Sequence, residues 1–121
     1  MKKTDLDTIY LRELRLRMLI GINPDELIHR QDVYVDLALY TDTSTAALSD
    51  SIEHTTDYSK LEAKIVEEME KSQFGLIEKM LRRIVEITFD FPLVEGVKVC
   101  VDKPDALRYG KSVAIEVTRW R

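Results

Sequence analysis

Val33-Tyr34-Val35-Asp36-Leu37-Ala38-Leu39-Tyr40 alternates without interruption: Val33, Val35, Leu37 and Leu39 share one face, and Tyr34, Asp36, Ala38 and Tyr40 share the other. A period of two predicts a β-strand with one buried side. Upstream, Ile9 and Leu11 fall on odd positions, whereas Leu14, Leu16, Met18 and Ile20 fall on even ones. Apolar parity changes face only where an extra residue enters, so the slip near Arg12-Glu13 predicts a β-bulge or break. Gly21 closes this first element.

Downstream the period changes. Thr41 to Thr56 reads as a polar loop with a short helical turn around Ala46–Leu48. Leu61, Ile65 and Met69, with Val66 beside them, then recur at helical spacing over residues 58–71. A second helical pattern over residues 76–90 carries Leu76, Ile77, Met80, Leu81, Ile84 and Ile87. Ser72-Gln73-Phe74-Gly75 separates the two, and Phe91-Pro92 stops the second. Each helix has a single apolar stripe, so each should lie on a sheet. Val97, Val99 and Val101 restore the period of two, Pro104-Asp105 breaks it, and Val113, Ile115 and Val117 form a last strand. The order ββααββ predicts an α+β fold, an antiparallel four-stranded sheet with two helices on one face. Residues 1–8 are polar and expected to be disordered, leaving residues 9–121 as a single domain.

Composition narrows the function classes. A chain of 121 residues with 45% hydrophobic content builds one packed core. Its 18 basic and 22 acidic residues give a net charge of −4, which argues against nucleic-acid and anionic-membrane partners. The segment after Met1-Lys2-Lys3 lacks a signal peptide's apolar stretch, and no run reaches membrane-spanning length. A cytoplasmic protein is expected. Two histidines, His29 and His54, cannot build a three-histidine zinc site, and both read as surface residues. The 4 glycines stand too far apart to cradle a phosphate. Cys100, the only cysteine, excludes an internal disulfide and reads as a packing residue on the face opposite the valines.

A few side chains suit acid–base work, each with a structural rival. Lys103 has the parity of Val97, Val99 and Val101, which puts its ammonium at the rim of an apolar face; its rival role is a packed stem with a solvated head. Glu26 stands three residues after Asn23 in Asn23-Pro24-Asp25-Glu26, so a capping box accounts for it without chemistry. Glu78 suits a solvated helix start, and Tyr58 a packed first turn capped by Asp57 or Thr56.

Together the segments resemble a known family. Leu14 to Ile22, Glu26, and Arg30-Gln31-Asp32-Val33 are similar to the N-terminal hairpin of the dihydroneopterin aldolase family. Asp57-Tyr58, Phe74-Gly75-Leu76-Ile77-Glu78-Lys79 and Asp102-Lys103-Pro104-Asp105-Ala106-Leu107-Arg108-Tyr109 follow its later motifs in order. The resemblance runs from about Ile9 to Trp120. It implies the tunnelling fold, in which four subunits close a barrel and two rings stack into an octamer with active sites at subunit interfaces. It implies Lys103, Glu26 and Tyr58 as catalytic residues, Tyr58 supplied by the neighbouring subunit, and Glu78 with the Ile77–Glu78 backbone as the pterin anchor. The implied chemistry uses no cofactor and no metal. The C6=N5 imine of a 7,8-dihydropterin accepts electrons when N5 is protonated, and loss of the 2′-hydroxyl proton breaks C1′–C2′. An aldolase releases glycolaldehyde; an epimerase lets the fragment rotate and re-add. Leu14-Arg15-Leu16-Arg17, Arg30-Gln31-Asp32 and Ala106-Leu107-Arg108-Tyr109 look more like the dihydroneopterin triphosphate 2′-epimerase branch. Arg17, Arg30, Arg108 and Lys111 are the cations expected to meet the triphosphate, or else solvated surface charges.

Overall fold

The computed structural model describes residues 5–121. Strand β1 (Asp7–Ile20) and strand β2 (Gln31–Thr41) pair antiparallel. Their register shifts between Leu11 and Leu14, where Glu13 takes a left-handed φ of 53°. The Glu13 backbone N–H, displaced from the ladder, donates to Asp36 Oδ1 at 2.9 Å. The parity slip in the sequence is therefore a bulge, and it lets Leu11 and Leu16 both point into the core.

A short helix α1 (Pro24–Ile28) joins these strands, and α2 (Ser44–Ser49) follows β2. Helix α3 (Tyr58–Lys71) and helix α4 (Ile77–Phe89) then cover one sheet face, burying Leu61, Ile65 and Met69 from the first and Met80, Leu81 and Ile84 from the second. Strand β4 (Gly96–Pro104) returns antiparallel beside β2, and β5 (Ser112–Trp120) pairs antiparallel with β4. Val33, Val35, Leu37 and Leu39 of β2 meet Val97, Val99 and Val101 of β4 beneath the helices. The opposite face carries Asp36, Ala38, Lys98, Cys100 and Glu116.

Two expectations change. The sheet has five strands in the order β3-β1-β2-β4-β5, not four, because Gln73–Phe74 forms β3, parallel to Leu19 and Ile20. The linker between the helices thus extends the sheet. Of the stretch expected to be disordered, residues 1–4 lie outside the described residues, while Asp7 and Thr8 are strand. The Asp7 carboxylate accepts from the Thr43 hydroxyl at 2.6 Å and its backbone N–H at 3.2 Å, which ties the strand start to the end of β2. Among the described residues no helix is long and apolar enough to cross a membrane.

Candidate active site

Strand β1 ends at Ile20, and Gly21 turns the chain with a φ of +131°. A Cβ there would lie 2.2 Å from Glu26 Cδ, so this turn admits only glycine on both conformational and steric grounds. Asn23 then caps α1, with Pro24 at its first position. Glu26 Oε1 accepts from the Asn23 backbone N–H at 3.3 Å, which completes the capping contact. Its other oxygen, Oε2, accepts from the Lys103 ammonium and from Gln31 Nε2, the latter at 3.2 Å. Capping and chemistry were rival accounts of this glutamate. The structure gives it both a capping contact and a contact with Lys103, one with each oxygen.

Lys103 reaches this point from the end of β4, on the inward face that parity assigns it, and only 8% of it is exposed. Two charges so far from water persist only because they are paired and hydrogen-bonded. The Lys103 ammonium, first among several causes, holds the Glu26 carboxyl below its ordinary value of 4.5 against the opposing effect of burial, with Gln31 and the Asn23 N–H assisting. The result is a carboxylate and an ammonium sharing one short contact, a proton donor and acceptor in direct communication. A cavity of about 410 Å³ walled by Arg17, Gln31, Asp32, Tyr34, Pro104 and Asp105 includes neither Lys103 nor Glu26, and Arg17, Asp32, Tyr34 and Pro104 have the parity of the opposite sheet face.

Glu78 is the second residue of α4, exposed, after a buried Ile77. No side chain caps the start of α4, which leaves its first-turn N–H groups directed outward. Strand β3 stitches this helix start to the turn that carries Glu26: the Gly21 N–H donates to the Phe74 carbonyl at 2.9 Å, and Gln73 Nε2 donates to the Leu27 carbonyl at 3.3 Å. The cavities that Glu78 borders are walled by α4 with β5 or with Glu68 and Phe74, and neither includes Lys103 or Glu26. Tyr58, 56% exposed, opens α3. A helix of 14 residues rises about 1.5 Å per residue, which sets Tyr58 roughly 20 Å from the Lys71 end that leads into β3. The Lys71 end, and not the Tyr58 end, is joined through β3 to the turn that carries Glu26.

The four expected phosphate-binding cations divide into two groups. Arg17 pairs with Asp32 at 3.1 Å, a carboxylate shared with Arg15. Arg30 donates to the main-chain carbonyls of Arg17 at 3.3 Å and Glu70 at 2.7 Å, fastening β1 to the end of α3. Arg108, over the Tyr109 ring at 5.7 Å, and Lys111 are exposed in the loop between β4 and β5, a few residues from Lys103. Cys100 is half-buried on the helix-free face, where burial, then Glu116, Asp36 and Asp102, push its thiol up and away from nucleophilic form. Sequence reading overlooked the roles of Gly21 and Gln31. A glycine closing a strand was the available signal for the first; the donor role of Gln31 had none.

The resemblance is borne out by comparison with known proteins. The family model for dihydroneopterin aldolase matches residues 9–118. The chain belongs to the dihydroneopterin aldolase family. A dihydroneopterin triphosphate 2′-epimerase of Pseudomonas aeruginosa is 34% identical over 113 residues, covering 93% of this chain and 92% of that one. A dihydroneopterin aldolase of Streptomyces coelicolor is 35% identical over 101 residues, covering 84% of this chain and 85% of the relative. Among solved structures, Escherichia coli dihydroneopterin aldolase in complex with neopterin superposes with a TM-score of 0.88 at 22% identity, over 93% of this chain and 98% of that one. The chain is thus an enzyme of the dihydroneopterin aldolase and epimerase family, with that family's fold.

Proposed function

We propose that this enzyme is a dihydroneopterin triphosphate 2′-epimerase, inverting C2′ of a 7,8-dihydropterin side chain by retro-aldol cleavage and re-addition. The observation that carries the reading is the buried Lys103–Glu26 pair. In the forward half, Lys103, through water with Glu26, delivers a proton to N5. Tyr58 of a neighbouring protomer, or an ordered water, takes the 2′-hydroxyl proton. The C1′–C2′ electron pair moves into the C1′=C6 bond of an enamine, and C2′ leaves as an aldehyde. Rotation of the aldehyde and reversal of each transfer restores the bond with C2′ inverted. Glu78 anchors the pterin by accepting from its 2-amino and N3–H groups, with the uncapped Ile77–Glu78 backbone beside it.

The neopterin bound by the Escherichia coli structure supports a pterin as ligand. Arg108 and Lys111, unencumbered by the main-chain contacts that occupy Arg30, are the cations best placed to meet a triphosphate, while Arg17 is paired with Asp32. A homo-oligomer, a tetrameric ring stacked into an octamer, supplies Tyr58 to the site. Exposed Ile22 (70%), Ile28 (73%) and Leu76 (55%) around the Glu26 turn, and the position of β5 at the end of the strand order, suit such an interface.

The second reading is the aldolase outcome, with glycolaldehyde and 6-hydroxymethyl-7,8-dihydropterin as products; the Streptomyces coelicolor relative favours it. Incubation with 7,8-dihydroneopterin and separately with its triphosphate, followed by fluorescent analysis of oxidised pterins, decides between them. Inversion of the triphosphate without net cleavage is expected. Release of the two-carbon aldehyde as the main product would assign the aldolase, and binding without turnover would overturn both.

A further inference from the structure

We infer that Gln31 is a positioning residue for the proton-transfer pair, fixing the oxygen of Glu26 that meets Lys103; the inference rests on the reading of that pair given above. The side-chain amide has two N–H bonds, and both are committed. One goes to the Ile20 carbonyl at 2.8 Å and the other to Glu26 Oε2 at 3.2 Å. Reversing the amide would set its carbonyl oxygen against two acceptors, so its orientation is forced. The Ile20 carbonyl ends β1, and Gln31 opens β2 in register with Met18, so the donor is built into the sheet rather than into a loop. Oε1 of Glu26 is already taken by the Asn23 N–H. Gln31 and Asn23 together therefore leave the carboxylate one orientation, with Oε2 aimed at the ammonium.

This arrangement separates positioning from packing. A residue that served only to tie β2 to β1 would need the Ile20 contact alone. The second N–H stabilises the ionised carboxylate, and among the influences that hold Glu26 below its ordinary value, against the opposing effect of burial, the Gln31 contact comes next after the Lys103 hydrogen bond. Displacement of a catalytic group by a fraction of an ångström is enough to slow a reaction without weakening substrate binding.

The test uses Gln31→Met, which keeps length and removes the donor, in the full oligomeric enzyme. Two readouts are taken: the pH dependence of turnover, and the titration of the Glu26 carboxyl carbon by NMR, assigned by its loss in Glu26→Gln. The account expects kcat to fall roughly 10- to 100-fold with little change in KM. It also expects the acid limb and the Glu26 titration both to move to higher pH. A fall in kcat with neither shift would make Gln31 merely structural and overturn the inference, as would an unchanged enzyme. If Gln31→Met does not fold, isosteric Gln31→Glu carries the same test: a second carboxylate beside Glu26 raises its titration, and no shift would contradict the inference. Retained turnover in Glu26→Gln would instead defeat the proton-transfer reading, while the NMR titration would still report whether Gln31 holds Glu26.

Discussion

Glu26 shows how a residue's neighbours in sequence and its neighbours in space can ask different things of the same side chain. The spacing Asn23 to Glu26 is fully accounted for by a capping box, and nothing in the sequence reveals that Lys103, 77 residues away, shares the other oxygen. The parity of Lys103 was legible because it inherits the face of three valines; its partner was not, since alternation reports a side and never a contact. The same blindness affects the arginines. Arg17 and Arg30 read as free cations, but Asp32 and two main-chain carbonyls hold them. Glu26 also gives a pH signature. Its carboxyl lies below the ordinary 4.5 in the folded protein, chiefly because of Lys103. Its stabilising contribution is therefore complete above the unfolded value and is lost as pH falls through the folded one. Urea denaturation between neutral pH and pH 3 should show a smaller acid-induced loss of stability in Glu26→Gln than in the parent. Parallel curves would show that the pair contributes nothing to folding.

At the scale of elements, the helices and the long strands were written plainly in the period of their apolar residues, and the bulge in β1 was written in a change of that period. Strand β3 was not. Only two residues pair, and only Phe74 of them is apolar, so no pattern exists to be read; tertiary docking of the linker against Leu19 and Ile20 makes the strand. That short strand matters because it joins the start of α4 to the Gly21 turn. The two glycines of this junction should behave differently. Gly21→Ala forces a side chain into the positive-φ region and onto the Glu26 carboxyl, and should cost about 1–3 kcal/mol of stability together with activity. Gly75→Ala meets only Ile22 Cγ2 at 3.5 Å, an ordinary contact, and should leave the melting temperature nearly unchanged. Thermal unfolding of the two variants side by side checks this, and equal losses would refute the steric account.

In the reading proposed above, one protomer holds only part of the site. Tyr58 stands at the opposite end of α3 from the one that β3 joins to the Glu26 turn, and a rim of exposed apolar side chains surrounds that turn. Such a surface is stable in water when a second copy covers it. If the neighbour's Tyr58 completes the site, two inactive variants, Lys103→Met and Tyr58→Phe, should regain activity when they are dissociated, mixed and reassembled. Mixed rings then contain some interfaces with both native residues. Absence of recovery in verified mixed oligomers would place both residues in one protomer's site and contradict the reading.

Steady-state turnover of Lys103→Met on dihydroneopterin triphosphate probes the pair itself. Positioned proton transfer contributes roughly 10²- to 10⁴-fold, so kcat should fall by about that factor while pterin binding, measured by fluorescence quenching, persists. Turnover close to that of the parent enzyme would mean that the buried ammonium holds the fold together and leaves the carbon–carbon bond to other groups.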